Sequence, residues 1–250
     1  MHMQIQRLHW AGVQLTARDT TLFIDTITPP EAELDPEVTT THRHALLTHH
    51  HADHADLGYI HKWIGGTGTL VTHHDVLPFL NVGSLKVRTV GLHQPLILPH
   101  STADFVVHAV PASDGLGDPQ VSWVVEAGGK RILHAGDTLW HGHWWSIARL
   151  YGPFDVVFLP MNAPRINIGR FQDSGIPIVM TPEQAVAAAR ILAPELVVPI
   201  HYGRHEPGRY VETPDALNTF LKLAQEAGLK VNAMQPGEGF DLKPQAAVPI

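Results

Sequence analysis

The chain has 250 residues, 44% hydrophobic and 16% charged, enough to bury a sizeable core and too apolar to be disordered. Seventeen Lys and Arg against 24 Asp and Glu leave a formal net charge of −7, which argues against nucleic acid or an anionic membrane as main partner, because neither phosphate-rich surface attracts such a chain. Cysteine is absent, excluding thiolate nucleophiles, disulfides, iron–sulfur clusters and Cys-type zinc sites.

The start, MHMQIQRLHW, lacks the apolar stretch of a signal peptide, and no run approaches the ~20 apolar residues of a membrane helix. A cytoplasmic protein is expected. IQRLHW, AGVQLTA and TLFIDTI read as short strands, followed by a loop over 27–43 with Pro29, Pro30 and Pro36. HALLT is an apolar strand, and helix is expected in the last ten or so residues of HHHADHADLGYIHKWI. GGTGTLVT reads as a turn and strand, and HHDVLPFL as a short helix. Strand signals then dominate residues 85–137: LKVRTV, QPLILP, DFVVHAV, and a hairpin turning at Gly128-Gly129. HWWSIARL is helical, FDVVFLP a buried strand, and 161–179 an irregular loop. Thr181 caps a helix with Pro182 in its first position, running to about Leu192. LVVPI then delivers His201. Thr213, Pro214 and Gly228 start and stop a second such helix, and KVNAMQP is expected as the final strand. No linker divides the chain, so one domain over residues 1–250 is expected. WAGVQLTARDTTLFIDT and WVVEAGGKRILHAGDT share an order of Trp, strand, turn, strand and Asp-Thr, a faint internal duplication.

Nineteen histidines are many for a chain with so few charges, and imidazole is the commonest metal ligand. Residues 49–54 read His-His-His-Ala-Asp-His directly after an apolar strand. His49, His51, Asp53 and His54 are therefore four potential ligands at one strand end. A single ion cannot easily use them all, because adjacent Asp53 and His54 point differently from the His49/His51 pair. The spacing suits two neighbouring ions, each drawing further ligands from elsewhere, since a site needs at least three protein ligands. A tag-like or solvated histidine run is the bland alternative, but this run is internal.

HxHxDH after a strand, GDT at mid-chain and a strand-terminal His near the end resemble the metallo-β-lactamase-fold hydrolases. The likeness runs from FIDT at Asp25 through HAGDT at Asp137 to VPIHYG at His201, and looks most like the branch of ascorbate-phosphate lactonase-like hydrolases. It implies an α+β four-layer αββα sandwich with the metal site at one edge. It also implies two divalent metal ions (Zn, Mn or Fe): site one on His49 and His51, site two on Asp53, His54 and His201, and Asp137 bridging. Such ions polarise a substrate oxygen and lower the pKa of bound water to about 7, so no serine or cysteine nucleophile is required. The family's third site-one histidine is expected in a turn that here reads Pro111-Ala112-Ser113-Asp114-Gly115. Asp114 occupies its place: either it coordinates in the histidine's stead, or site one is filled from elsewhere, or only one metal binds tightly, with a plain turn role as the bland alternative. His108, mid-strand, competes for the role.

Asp53, Asp137 and His141 are the candidate catalytic residues, His141 as proton shuttle or oxyanion donor, with a solvated helix start as its plain alternative. Asp25 could fix the tautomer of a ligand imidazole; His134 reads as core, and Tyr202 as an oxyanion donor. Of Arg165, Arg170 and Arg204, one could read an anionic group. The expected function is metal-dependent hydrolysis of a small ester, lactone or phosphoester, with a small-molecule substrate, no nucleic acid or membrane partner, and a homo-oligomer allowed. The alternatives are a nuclease or phosphodiesterase, or a metal-binding protein without turnover.

Overall fold

The computed structural model describes residues 2–30, 35, 37–98, 105–204 and 206–242. In chain order the elements are β1 (Met3–Arg7), β2 (Val13–Ala17), β3 (Thr20–Ile24), β4 (His42–Leu46), α1 (Leu57–Ile64), β5 (Thr69–His73), β6 (Val87–Val90), β7 (Pro95–Ile97), β8 (Val106–Pro111), β9 (Val121–Ala127) and β10 (Lys130–His134). There follow α2 (Trp144–Tyr151), β11 (Val156–Pro160), β12 (Arg165–Ile166), α3 (Pro182–Leu192), β13 (Leu196–Ile200), β14 (Tyr210–Val211), α4 (Ala216–Glu226) and β15 (Gly239–Leu242).

One sheet runs β15-β1-β2-β3-β4-β5-β6 and a second β13-β11-β10-β9-β8-β7, with β12-β14 a small ribbon. The two large sheets share a pattern. β15-β1-β2-β3 are antiparallel and β3-β4-β5 parallel; β7-β8-β9-β10 are antiparallel and β10-β11-β13 parallel. The two Trp-to-Asp-Thr segments of the faint duplication form the β2–β3 and β9–β10 hairpins, at corresponding places. β3, β5 and β11 have parallel neighbours and are buried throughout, which is why TLFI and VVFLP read as continuous apolar runs.

Three apolar layers make the sandwich. Leu15, Leu22, Ile24 and Leu46 of the first sheet meet Val107, Trp123, Val125 and Phe158 of the second in the central core. The second sheet's outer face packs α2, α3 and α4 through Ile147, Ala185, Ala189 and Phe220. The first sheet's outer face packs α1 through Ile60 and Ile64. The α+β αββα fold expected from the sequence is the one observed. Buried polar contacts pin the sheets together: Trp123 Nε1–H donates to Leu47 O (2.9 Å) and Val121 N–H to Thr48 O (3.0 Å).

Three local expectations are corrected. KVNAMQP is not a strand: it makes one parallel bridge, Val197 with Val231, and the last strand among the described residues is β15, paired with β1. α4 does not start from Thr213; its N-cap is Asp215, at φ 57° with no side-chain cap. Thr213 is committed elsewhere, its N–H donating to Asn162 O and its hydroxyl to Ala163 O. HHDVLPFL forms only a single 3₁₀ turn over Leu77–Phe79. By contrast α3 has the expected cap, with Thr181 and Gln184 in a reciprocal capping box and Pro182 inside it.

Candidate metal centre

Ligands in open parallel sheets gather at the carboxyl ends of strands, and here such ends of both sheets meet. Asp25 follows β3; His49, His51, Asp53 and His54 follow β4; Asp137 follows β10; Asn162 follows β11; His201 follows β13. Two groups of donor atoms form, each with its members within 4.8 Å of one another: His49, His51, Asp114 and Asp137, and Asp53, His54 and His201. Asp137 stands between them. Its Oδ1 lies 3.7 Å from His49 Nε2, and its Oδ2 3.8 Å from His54 Nε2 and 3.7 Å from His201 Nε2.

These separations are too long for hydrogen bonds and suit atoms sharing an ion. Donors at zinc-like bond lengths and tetrahedral angles stand roughly 3.3–3.5 Å apart. Moreover, Nε2 of His49, His54 and His201 and Oδ1 of Asp137 are buried without a hydrogen-bond partner, an arrangement that costs about 1–3 kcal/mol per atom unless something binds there. The residues fit divalent metal ions.

Each imidazole is oriented from behind. His54 Nδ1–H donates to Asp25 Oδ2 (2.9 Å), and His201 Nδ1–H to Asn162 Oδ1 (3.1 Å). Asn162 is held oxygen-inward because its amide donates to Tyr210 Oη and Glu212 Oε1, both at 2.9 Å. His51 Nε2–H donates to Asp118 Oδ2 (3.0 Å), leaving Nδ1 facing Asp114 Oδ2 at 3.7 Å. Asp25 also accepts Thr48 N–H (2.9 Å) and Thr48 Oγ1–H (2.6 Å), and Thr48 Oγ1 in turn accepts His49 Nδ1–H (2.9 Å). One carboxylate thus anchors two imidazoles.

Asp114 makes the turn bonds of one reading and keeps one oxygen free for the other. Its Oδ1 accepts Leu116 N–H (2.7 Å) and Asp118 N–H (3.1 Å), while Oδ2 points to the donor group. Asp25 at φ 46° and His201 at φ 59° are in the left-handed region, which costs a non-glycine residue roughly 1–2 kcal/mol; such strain concentrates at functional sites.

Burial pushes His49 and His201 well below the ordinary histidine value, aided by the neighbouring His54 charge, so both are neutral donors. Burial also opposes charge on His54, but Asp137, Asp25 and Asp53 overcome it and raise His54 to about 9. Asp137 is pushed up to about 6 by burial, opposed by His54 and reinforced by Asp114 and Asp53. A cation among these carboxylates relieves that repulsion.

His141 joins neither group among the described residues. Its ring stacks on Trp144 (4.1 Å between centroids) and its Nδ1 accepts His143 N–H. His108 lies away from the centre, on β8 beside Glu126 and Tyr151. His134 is core, its Nε2–H donating to Ala11 O (2.8 Å). Tyr202 Oη is taken by Arg7 and Met234 O.

Residues 25–202 match the family described as the beta-lactamase superfamily domain. A UPF0173 metal-dependent hydrolase of Thermococcus kodakarensis is 30% identical over 221 residues, 85% of this chain and 87% of its own. The chain belongs to the metallo-β-lactamase superfamily of metal-dependent hydrolases. A UPF0173 relative from Thermus thermophilus is 37% identical over 198 residues, 77% of this hydrolase and 78% of its own chain. Among solved structures, Igni18, a metallo hydrolase of Ignicoccus hospitalis, matches with TM-score 0.75 at 23% identity, covering 98% of this chain and 100% of its own. CmlA, a diiron β-hydroxylase of Streptomyces venezuelae, matches at 0.72 and 18%, covering 96% of this chain and 54% of its own. These two likenesses show the fold. The relatives are UPF0173 proteins, and they lend no support to the narrower likeness to ascorbate-phosphate lactonases.

Sequence reasoning missed Thr48, Asp118 and Asn162 in this hydrolase. Thr48 and Asp118 sit beside recognised motif residues, but nothing local marks them as partners of His49 and His51. Gln120 was also missed: neither end of its buried amide has a partner, and its Nε2 would stand 2.9 Å from a Cβ at position 136. The Gln120 amide could move aside, but φ +70° favours glycine before Asp137, and Thr48 Cβ and Cγ2 would lie only 3.2 Å from such a Cβ.

Proposed function

We propose that this hydrolase cleaves a small ester, lactone or phosphoester at a two-metal centre, with Zn, Mn or Fe as the ions. His49, His51 and Asp114 would hold one ion, Asp53, His54 and His201 the other, and Asp137 would be shared. The observation that carries this reading is the set of three buried, partnerless imidazole nitrogens converging on Asp137, whose Oδ1 is likewise buried without a partner. When bound, the ions supply Lewis-acid polarisation of the substrate and activation of water near neutral pH.

The chain's own residues do the rest. Asp25, Asn162 and Asp118 hold the imidazoles in one tautomer each, so no reorganisation is needed. Asp53, Asp114 and Asp137 are three carboxylates, balancing most of the charge of two divalent ions in a buried setting. Asp114 makes the first group two histidines plus carboxylate oxygen, a donor set that suits harder ions, so Mn²⁺ or Fe²⁺ should serve at least as well as Zn²⁺. Elemental analysis of tag-free protein, paired with a panel of chromogenic esters, lactones and phosphodiesters before and after chelation, tests the reading. More than one ion per chain and chelator-sensitive hydrolysis are expected; a metal content of about one-tenth per chain or less would refute the two-metal centre.

A further inference from the structure

A cavity of about 460 Å³ opens beside the second donor group, and its walls include Arg7, Trp10, Ile27, Asp53, Tyr202 and Arg204. Its size is that of a small-molecule site, roughly 300–1,000 Å³. Two residues join it to the centre. Asp53 belongs to both, and the Trp10 indole lies against the His201 ring with centroids 4.2 Å apart.

Arg204 is preset in this cavity. Its Nε–H and Nη2–H donate to Glu206 Oε1 at 2.9 and 2.6 Å, its guanidinium lies over the Tyr210 ring, and its Nη1 stands 3.5 Å from Asp53 Oδ2. Its backbone N–H donates to Glu212 Oε1 (3.0 Å), the same oxygen that receives the Asn162 amide behind His201. One network therefore sets both the imidazole and the guanidinium. Once Asp53 is engaged by a cation, Glu206 is the one carboxylate left among the described residues that line the cavity, and it is shared between Arg204 and Arg209, whose Nη1 lies 3.8 Å away. That balance favours an anion, and a planar guanidinium fork matches a carboxylate or phosphate. Arg165 and Arg170 have no such place: Arg165 pairs with Asp173, and Arg170 lies over Phe171.

We propose that Arg204 is a specificity-determining residue that receives an anionic oxygen group, carboxylate or phosphate, carried by the substrate beside its hydrolysable bond. The substrate class is then small acidic esters or lactones, with the apolar remainder against Trp10 and Ile27. This rests on the hydrolytic reading above.

The test is calorimetric titration of the metal-loaded full chain with glutarate and, separately, inorganic phosphate, in wild type, Arg204→Met and Glu206→Gln. At least one anion should bind wild type and bind Arg204→Met about 10–100-fold more weakly at unchanged metal content, the loss of one charge-assisted hydrogen bond. Whichever anion shows this dependence identifies the group. Glu206→Gln, which releases the Nε/Nη2 face, should bind it at least as tightly as wild type, and this variant decides the matter if Arg204→Met loses metal. In parallel, wild type should prefer mono(4-nitrophenyl) glutarate to uncharged 4-nitrophenyl pentanoate, with the preference collapsing through KM in Arg204→Met. Anion binding that is absent, unchanged in Arg204→Met or weakened in Glu206→Gln overturns the inference, as does preference for the neutral ester. If neither ester is cleaved while anion binding still depends on Arg204, the hydrolytic reading fails and the anion site stands.

Discussion

Asp25→Asn replaces one oxygen by an amide nitrogen of the same shape, yet it should disable two ligands at once. In the native protein Asp25 is held below the usual carboxylate range: burial works against ionisation, but the His54 bond and charge, His134 and Thr48 outweigh it. An ionised carboxylate only accepts. It therefore draws a proton on Nδ1 of His54 directly, and on Nδ1 of His49 through the Thr48 hydroxyl, so that the Nε2 lone pair of His49, and that of His54 once a cation displaces its second proton, face Asp137. An amide nitrogen at the Oδ2 position donates instead. Thr48 Oγ1–H must then turn to His49 Nδ1, and both imidazoles carry their protons on Nε2, where a metal should be. Loss of one such orienting partner costs about 10–100-fold in metal affinity, or about 1.4–2.7 kcal/mol. Each donor group loses one here, so both ions should bind more weakly by that factor. The fold should lose about 1.5–3 kcal/mol for the charged acceptor. Asp25→Ala is less informative, because it strands three buried donors at about 1–3 kcal/mol each, a large part of a domain's total stability of about 5–15 kcal/mol. The assay is competition with a chromophoric chelator, beside nitrogen-15 NMR of the His49 side chain in metal-free protein. Wild-type metal affinity in Asp25→Asn, or a His49 still protonated on Nδ1, would refute the relay.

Asp114→Asn should keep its turn bonds but lower the metal content of the first donor group and shift preference toward Zn²⁺; unchanged content and preference by elemental analysis would leave Asp114 a turn residue only. Gly115→Ala places a Cβ 2.1 Å from Ile178 O, so it should destabilise by about 1–3 kcal/mol or more and misplace Asp114 and Asp118, read by chemical denaturation and metal titration. His141 is lowered to about 4 by burial and by the His143 charge. The unfolded chain binds that proton first, so His141 subtracts stability as pH falls from about 6.5 through 4. His141→Phe, which keeps the stack on Trp144, should flatten the loss of thermal stability in that window, and an unchanged pH profile would contradict its burial.

The six residues that the motifs nominate as ligands stand at strand ends that the apolar pattern marks, and the structure brings all six together at one centre. Asp25 was legible as the residue that ends a neighbouring strand, and its bond to His54 is the one expected of it. Asn162 was not, because its value depends on an amide held from behind by Tyr210 and Glu212, residues 48 and 50 positions away. Thr213 looked like a helix cap because Thr-Pro is a good start signal, and tertiary hydrogen bonds to Asn162 and Ala163 took it instead. The same limit explains β15: pairing with β1 joins residues more than 230 positions apart, and no local pattern announces it.

The repeated run of strand pairings has a consequence for assembly. Cut between β6 and β7, the chain gives two halves of like plan, and neither carries every member of either donor group around Asp137. The first supplies His49, His51, Asp53 and His54, the second Asp114, Asp137 and His201, and both donor groups take members from each side of the cut. The centre lies on the seam, so joining the halves and completing the site are one event. A cation there would act as a clasp across the seam, slowing the separation of the two sheets as well as enabling catalysis.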